Sequence, residues 1–200
     1  MKRVSKPDFW NKRYLDNNTA WDLGRATPIL TDYLKNNHRL GKVCVLGCGN
    51  GYDALEFSKF KNDVYAVDFA SEALKNLKNQ SDKNNLTLNL IHEDIFNLYK
   101  DYSNFFDFIF EYTCFCAIDP ERREEYFNVM HEILNKNGLL FAIFIPFDKE
   151  LSDDGPPFGV DLKQIENLTS NKFEIIVNKF SDLSIKPRKN REKLVILKKI

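Results

Sequence analysis

Three glycines, Gly47, Gly49 and Gly51, fall within five positions of "VCVLGCGNGYDALEF", between an apolar run and a helix-like pattern. Glycine lets backbone approach a ligand closely, and the free N–H groups at a helix start attract electron-rich groups. Two chemistries use such a turn. A dinucleotide site needs G-x-G-x-x-G, whose third glycine packs the helix beside a pyrophosphate, and here Tyr52 holds that position. The spacing G-x-G-x-G followed by a non-glycine suits instead an adenosyl ligand whose methionine part lies over the turn. Asp68 ends "VYAVD", where a carboxylate can accept hydrogen bonds from both hydroxyls of a ribose. In "HEDIF", Asp94 could accept from an adenine amino group with Ile95 on the purine face, or it could cap the next short helix.

These residues need a scaffold that delivers them to one edge. Short β-branched or aromatic runs predict strands at Val43–Leu46, Val64–Val67, Leu86–Ile91, Phe106–Phe110 and Leu139–Ile145. Amphipathic spacing predicts helices at Asp53–Phe60, Ser71–Lys78 and Pro120–Leu134, with Pro120 in a first turn and Gly138 as a stop after "ILNKN". The result is an α/β chain with a wound, mostly parallel sheet. Right-handed crossovers leave its strand carboxyl ends, and so the glycine turn, Asp68 and Asp94, along a common edge. Beyond Pro146, "FEIIVNKF" and "KLVILKKI" are separated by a loop and read as a C-terminal antiparallel hairpin. A sheet closed this way is the Rossmann-like arrangement of class I methyltransferases, with helices on both faces. Residues 1–41, which carry Trp10 and Trp21, have little core pattern and read as an N-terminal helical lid; residues 42–200 form the core of a single domain.

Composition narrows the partners. The 29 basic and 29 acidic side chains cancel, so no overall field draws the protein to nucleic acid or a membrane. "KPRKNREK", Lys186–Lys193, reads as a solvated loop rather than a phosphate-binding arm. Cys44, Cys48, Cys114 and Cys116 sit in apolar contexts without a nearby histidine, a poor zinc set, and are expected as buried thiols with no metal. There is neither an apolar leader nor a run of eighteen apolar residues, so a cytoplasmic monomer acting on a small molecule is expected. His38, His92 and His131 are expected to be structural or solvated.

"AWDLGRATPIL", "VLGCGNGYD", "FDFIFEYTCFCAIDPERR", "GPPFGVD" and "REKLVILKKI" together resemble the thiopurine methyltransferase superfamily, particularly its halide and thiol (thiocyanate) methyltransferase branch. The glycine motif is generic to class I methyltransferases; "WDLGRATP", "CAIDPERR" and "GPPF" are specific to the group. The resemblance implies S-adenosylmethionine as cofactor and a halide, bisulfide, thiocyanate or thiol as acceptor, with a larger aromatic thiol, a metalloid or a selenium species as the alternative. It implies that Trp10 and Tyr14 fold over the cofactor, Gly47 and Gly49 contact it by backbone, Asp68 holds the ribose, and Asp94 and Ile95 meet the adenine. Tyr112 would sit near the methionine part or the acceptor, with Trp21 and Phe158 lining the acceptor pocket. Each aromatic also has a plain packing role open to it, and Arg25 either meets the cofactor carboxylate or braces the lid through Asp22. Plant-like members carry Tyr where this chain has Phe158, and thiopurine-type members carry Arg near Tyr112 where it has none. Both departures imply a less polar pocket. A halide or thiolate needs no general base, in keeping with a sequence that offers no Ser-His-Asp or Cys-His set. A module that binds the cofactor without turnover is the competing class.

Overall fold

The computed structural model describes residues 2–151 and 155–200. Seven strands form one sheet: β1 Lys42–Leu46, β2 Asp63–Asp68, β3 Asn89–His92, β4 Phe106–Tyr112, β5 Leu134–Phe144, β6 Phe173–Phe180 and β7 Lys193–Lys199, in the order β3-β2-β1-β4-β5-β7-β6. The first five run parallel. The hairpin is present, but β7 inserts between β5 and β6 and pairs antiparallel with both. Alternation along the strands sorts side chains to two faces. Val43, Val45, Val64 and Ala66 pack with α2 (Pro28–Asn36), α3 (Tyr52–Lys59) and α4 (Ser71–Asn84). Cys44, Leu46 and Val67 pack with α6 (Arg123–Ile133) and α7 (Leu162–Thr169) on the other face. Among the described residues no helix is long and apolar enough to cross a membrane.

Several boundaries differ from the sequence reading. The third strand is Asn89–His92 rather than Leu86–Ile91. Pro120 opens a 3-10 turn, Pro120–Arg122, before α6 begins. Gly138 does not stop a helix: α6 ends at Ile133 and the chain passes directly into β5. A bulge there lets Leu134 pair Phe106 while Leu139 pairs Phe108, with Asn137 at φ 64°. The structure also has helices in stretches the hydrophobic pattern does not mark, the single turn α5 (Tyr99–Tyr102) and α7. For α7 the signal was present, since Asp161 caps the helix by accepting from the Gln164 N–H at 3.1 Å, and Asp-x-x-Gln is a capping-box spacing.

Within the N-terminal 41 residues the structure separates two roles. Ile29, Leu30 and Leu34 of α2 are buried against β1, β4 and α3, so α2 belongs to a face of the sheet. The segment before it, with α1 (Pro7–Leu15), covers the strand ends. Asn11 of α1 accepts from the Glu72 N–H at 3.1 Å and thereby caps α4. Because Leu34 is fully buried, Leu34→Ala should lower unfolding free energy by about 2–5 kcal/mol in chemical denaturation. A change under 1 kcal/mol would mean that α2 can detach with the segment before it.

Candidate active site

The carboxyl ends of β1, β2 and β4, with the loops after β3 and β5, surround a cavity of about 520 Å³. The glycine turn forms its floor. Gly47, Gly49 and Gly51 all have positive φ, between 55° and 78°, a region open to glycine at little cost. Cys48 N–H donates to the Val67 carbonyl at 2.9 Å, carrying the β1–β2 pairing past the last strand residue. Asn50 then ties the turn outward: its amide donates to Asp22, and its own oxygens accept from Asn76 and Gln80 of α4.

Asp68, only 6% exposed, ends β2 with one oxygen accepting from Gly49 N–H and the other from Ala70 N–H, both at 2.9 Å. Burial raises its pKa to about 6, against the pull of those N–H groups and His92. Asp94 both caps the 3-10 turn Ile95–Asn97, accepting from Phe96 N–H at 3.1 Å, and lines the cavity with Ile95. On the lid side, Trp21 stands edge-on to Trp10 and Tyr14 at 5.5 and 5.9 Å. Tyr14 is buried over the turn, and its phenol pKa is pushed up by burial and by Asp68. Asp53 of α3 accepts from Thr27 N–H at 2.8 Å and fastens the end of this segment; burial raises its pKa to about 7.

The far wall is the end of β4. Tyr112 lines the cavity, and Thr113, at φ 60°, turns the chain so that Cys114 and Cys116 line it too. Glu111, 1% exposed, holds that turn by accepting from Cys114 N–H and Phe115 N–H at 2.9 and 2.7 Å. Burial raises its pKa to about 7. The cysteines are free thiols whose pKa values burial pushes up, to about 12 for Cys116, so they are protonated and weak nucleophiles.

Trp10, Tyr14, Trp21, Gly47, Gly49, Asp68, Asp94, Ile95 and Tyr112 therefore meet around one cavity. Phe158 does not join them. Its neighbours Pro156 and Pro157 line the cavity, while its own ring is buried, with Lys2 4.8 Å from its centre and its N–H donating to the Cys116 carbonyl. Arg25 lines the cavity and makes no ion pair with Asp22 among the described residues; Asp22 accepts instead from Gly24 N–H and Asn50. None of the three histidines lines it.

The largest departure is in "KPRKNREK", expected to be solvated. Its Arg188 is 8% exposed and its Glu192 1%. Arg188, in the 3-10 turn Lys186–Arg188, donates to both the Tyr112 hydroxyl and the Trp21 carbonyl. The pocket is thus not short of an arginine beside Tyr112; the guanidinium arrives from 76 residues further along the chain. No local signal marks it, because a charged run looks the same in sequence whether it faces water or a cavity.

A model of the family described as thiopurine S-methyltransferase matches residues 5–199. The chain belongs to that family. It is 32% identical over 195 residues to thiocyanate methyltransferase 1 of Brassica oleracea, covering 96% of this chain and 84% of that one. It is 31% identical over 193 residues to a probable thiol methyltransferase 2 of Arabidopsis thaliana, covering 92% and 82%. Among solved structures, a 1,6-didemethyltoxoflavin-N1-methyltransferase of Burkholderia thailandensis with bound S-adenosylhomocysteine superposes with a TM-score of 0.77 at 15% identity, covering 96% and 86%. This family member is an S-adenosylmethionine-dependent methyltransferase. The residues present fit that cofactor. A Cβ on Gly49 would lie 2.9 Å from the Tyr14 hydroxyl and one on Gly47 2.8 Å from Cys114 Sγ, so the turn is bare backbone where a side chain would crowd the cavity.

Three buried carboxyls with raised pKa values set a sign for pH dependence. Asp53, Asp68 and Glu111 titrate near 7, 6 and 7 in the folded chain, above their unfolded values near 4, so the folded state binds more protons between about pH 4 and 7. Their contribution to stability therefore falls as pH rises through that window. Glu111→Gln, which keeps an oxygen for the two N–H donors, should flatten the decline measured by denaturation at pH 5 and 8 in ligand-free protein. An unchanged slope would mean that Glu111 stays ionised throughout.

Proposed function

We propose that this enzyme transfers the methyl group of S-adenosylmethionine to a small, soft nucleophile: bisulfide, a thiol, thiocyanate or iodide. The observation that carries this reading is the corner where Trp21 and Tyr112 are joined through Arg188. It offers aromatic walls and the Arg188 guanidinium, and no imidazole, to a small anion. When bound, the cofactor supplies a sulfonium methyl carbon; the nucleophile bonds to it in line as the carbon–sulfur bond breaks, its electron pair staying on the departing sulfur. The protein's part is alignment and exclusion of water, effects that together supply up to about 7–11 kcal/mol. Asp68 would accept the ribose hydroxyls with lone pairs not taken by Gly49 and Ala70. Asp94 and Ile95 would meet the adenine, the Gly47 and Gly49 backbone the methionine part, and Trp10, Tyr14 and Trp21 would close over it.

Such a corner discriminates by hydration. Chloride sheds strongly held water for aromatic walls, whereas iodide and bisulfide lose less and are better nucleophiles. Headspace assay of methyl halides and methanethiol, with each nucleophile supplied in turn, should rank bisulfide or thiol and iodide ahead of bromide, with chloride last. Chloride equal to iodide, or a large aromatic thiol far ahead of all of these, would overturn the reading.

For the cofactor end, S-adenosylhomocysteine affinity should rise between about pH 5 and 7 as Asp68 ionises, because the carboxylate is the better acceptor. Asp68→Ala should weaken binding by about 1–3 kcal/mol and remove the part of that slope due to Asp68, both read by calorimetry. Unaltered affinity in a folded variant would take Asp68 out of the ribose site.

A further inference from the structure

We propose that Glu192, reached through the Tyr112 hydroxyl, takes the proton from acceptors that arrive as neutral thiols. The proposal rests on the small-nucleophile reading above and extends it from anions to their protonated forms. Tyr112 and Arg188 line the cavity; Glu192 does not, and stands behind them at 1% exposure. Tyr112 Oη donates to Glu192 Oε2 at 2.9 Å and accepts from Arg188 Nη1. A hydroxyl between a cavity and a buried carboxylate is a path for a proton. Burial holds the Tyr112 phenol above its ordinary pKa, so it keeps the proton that it must hand on.

The step balances. The acceptor's S–H proton moves to Tyr112 Oη while Tyr112's own proton moves to Glu192 Oε2, and the sulfur lone pair so freed forms the bond to the methyl carbon. Glu192 later returns the proton through the Tyr112 hydroxyl to water in the emptied cavity. Arg188 donates to the same Tyr112 hydroxyl, so the thiolate forms beside a cation rather than alone in the buried corner. The need is real, because a free thiol with a pKa near 8.5 is only a few per cent thiolate at pH 7. Iodide and thiocyanate bring no proton and gain nothing from the path.

Among the described residues, Asp53 of α3 and Cys116 of the turn after β4 lie within electrostatic reach of Arg188. Their titration acts on every acceptor alike, so the readout is a ratio. In the full chain with S-adenosylmethionine, kcat/KM for 2-mercaptoethanol over kcat/KM for iodide is measured from pH 6 to 10 in the wild type and in Glu192→Gln, which preserves an acceptor for the Tyr112 hydroxyl. The ratio should fall by about tenfold or more in the variant near pH 6.5 and return towards the wild-type value above the thiol's own pKa. Tyr112→Phe cuts the same path and should bend the ratio the same way. A ratio that does not move, or that falls equally at every pH, overturns the proposal. The wild type provides a test independent of folding of either variant: if its thiol kcat/KM simply tracks the thiolate fraction through the thiol's pKa while iodide stays flat, the relay is absent though the small-nucleophile reading stands. A wild type that methylates neither acceptor removes both.

Discussion

Asp68 ties together the three stretches of backbone around which the cavity is built. Its two oxygens accept from Gly49 in the glycine turn and from Ala70 at the start of α4, while its own backbone ends β2. The two bonds hold the turn and the helix start in fixed relation. Asn11 then caps α4 and seats α1, and Trp21 and Tyr14 meet edge to face above the turn that Asp68 holds. A buried carboxylate carries a desolvation penalty, visible in its raised pKa. Two N–H donors offset that penalty in part, and a ligand with further donors would offset more of it.

The opposite wall rests on a second buried charge pattern. Arg188 bridges the lid backbone at Trp21 to the strand end at Tyr112, and Glu192 sits behind Tyr112. Lid, parallel sheet and C-terminal hairpin therefore meet at one guanidinium. A planar fork with several donors can satisfy a carbonyl and a hydroxyl at once, which an ammonium cannot do with comparable geometry. Insertion of β7 between β5 and β6 brings this segment to the strand ends.

Much of this was legible from local pattern. The glycine spacing, Asp68 after an apolar run and Asp94 after the next strand each announce a strand end, because a parallel sheet presents its carboxyl ends along one edge. Hydrophobic alternation located the cores of the strands and the helices α3, α4 and α6. At Gly138 a bulge rather than a helix stop uses the flexible residue, and the short amphipathic α7 is too brief for its periodicity to stand out. Phe158 belongs to a motif shared with relatives, yet its ring is buried away from the cavity that its neighbouring prolines line.

By itself the sequence determined the α/β order, the adenosyl-type turn and the acidic residues at its successive strand ends, since these depend on spacing along a chain whose strands are buried on both faces. Tertiary structure alone decided which charges are withdrawn from water. Arg188 and Glu192 lie four apart in a basic run, and Glu111 and Arg123 lie in ordinary-looking stretches, yet all four are buried. Burial of a charge depends on which segments pack over it, for Arg188 and Glu192 the lid and the end of β4, and that information is not carried by the residues adjacent to them in the chain.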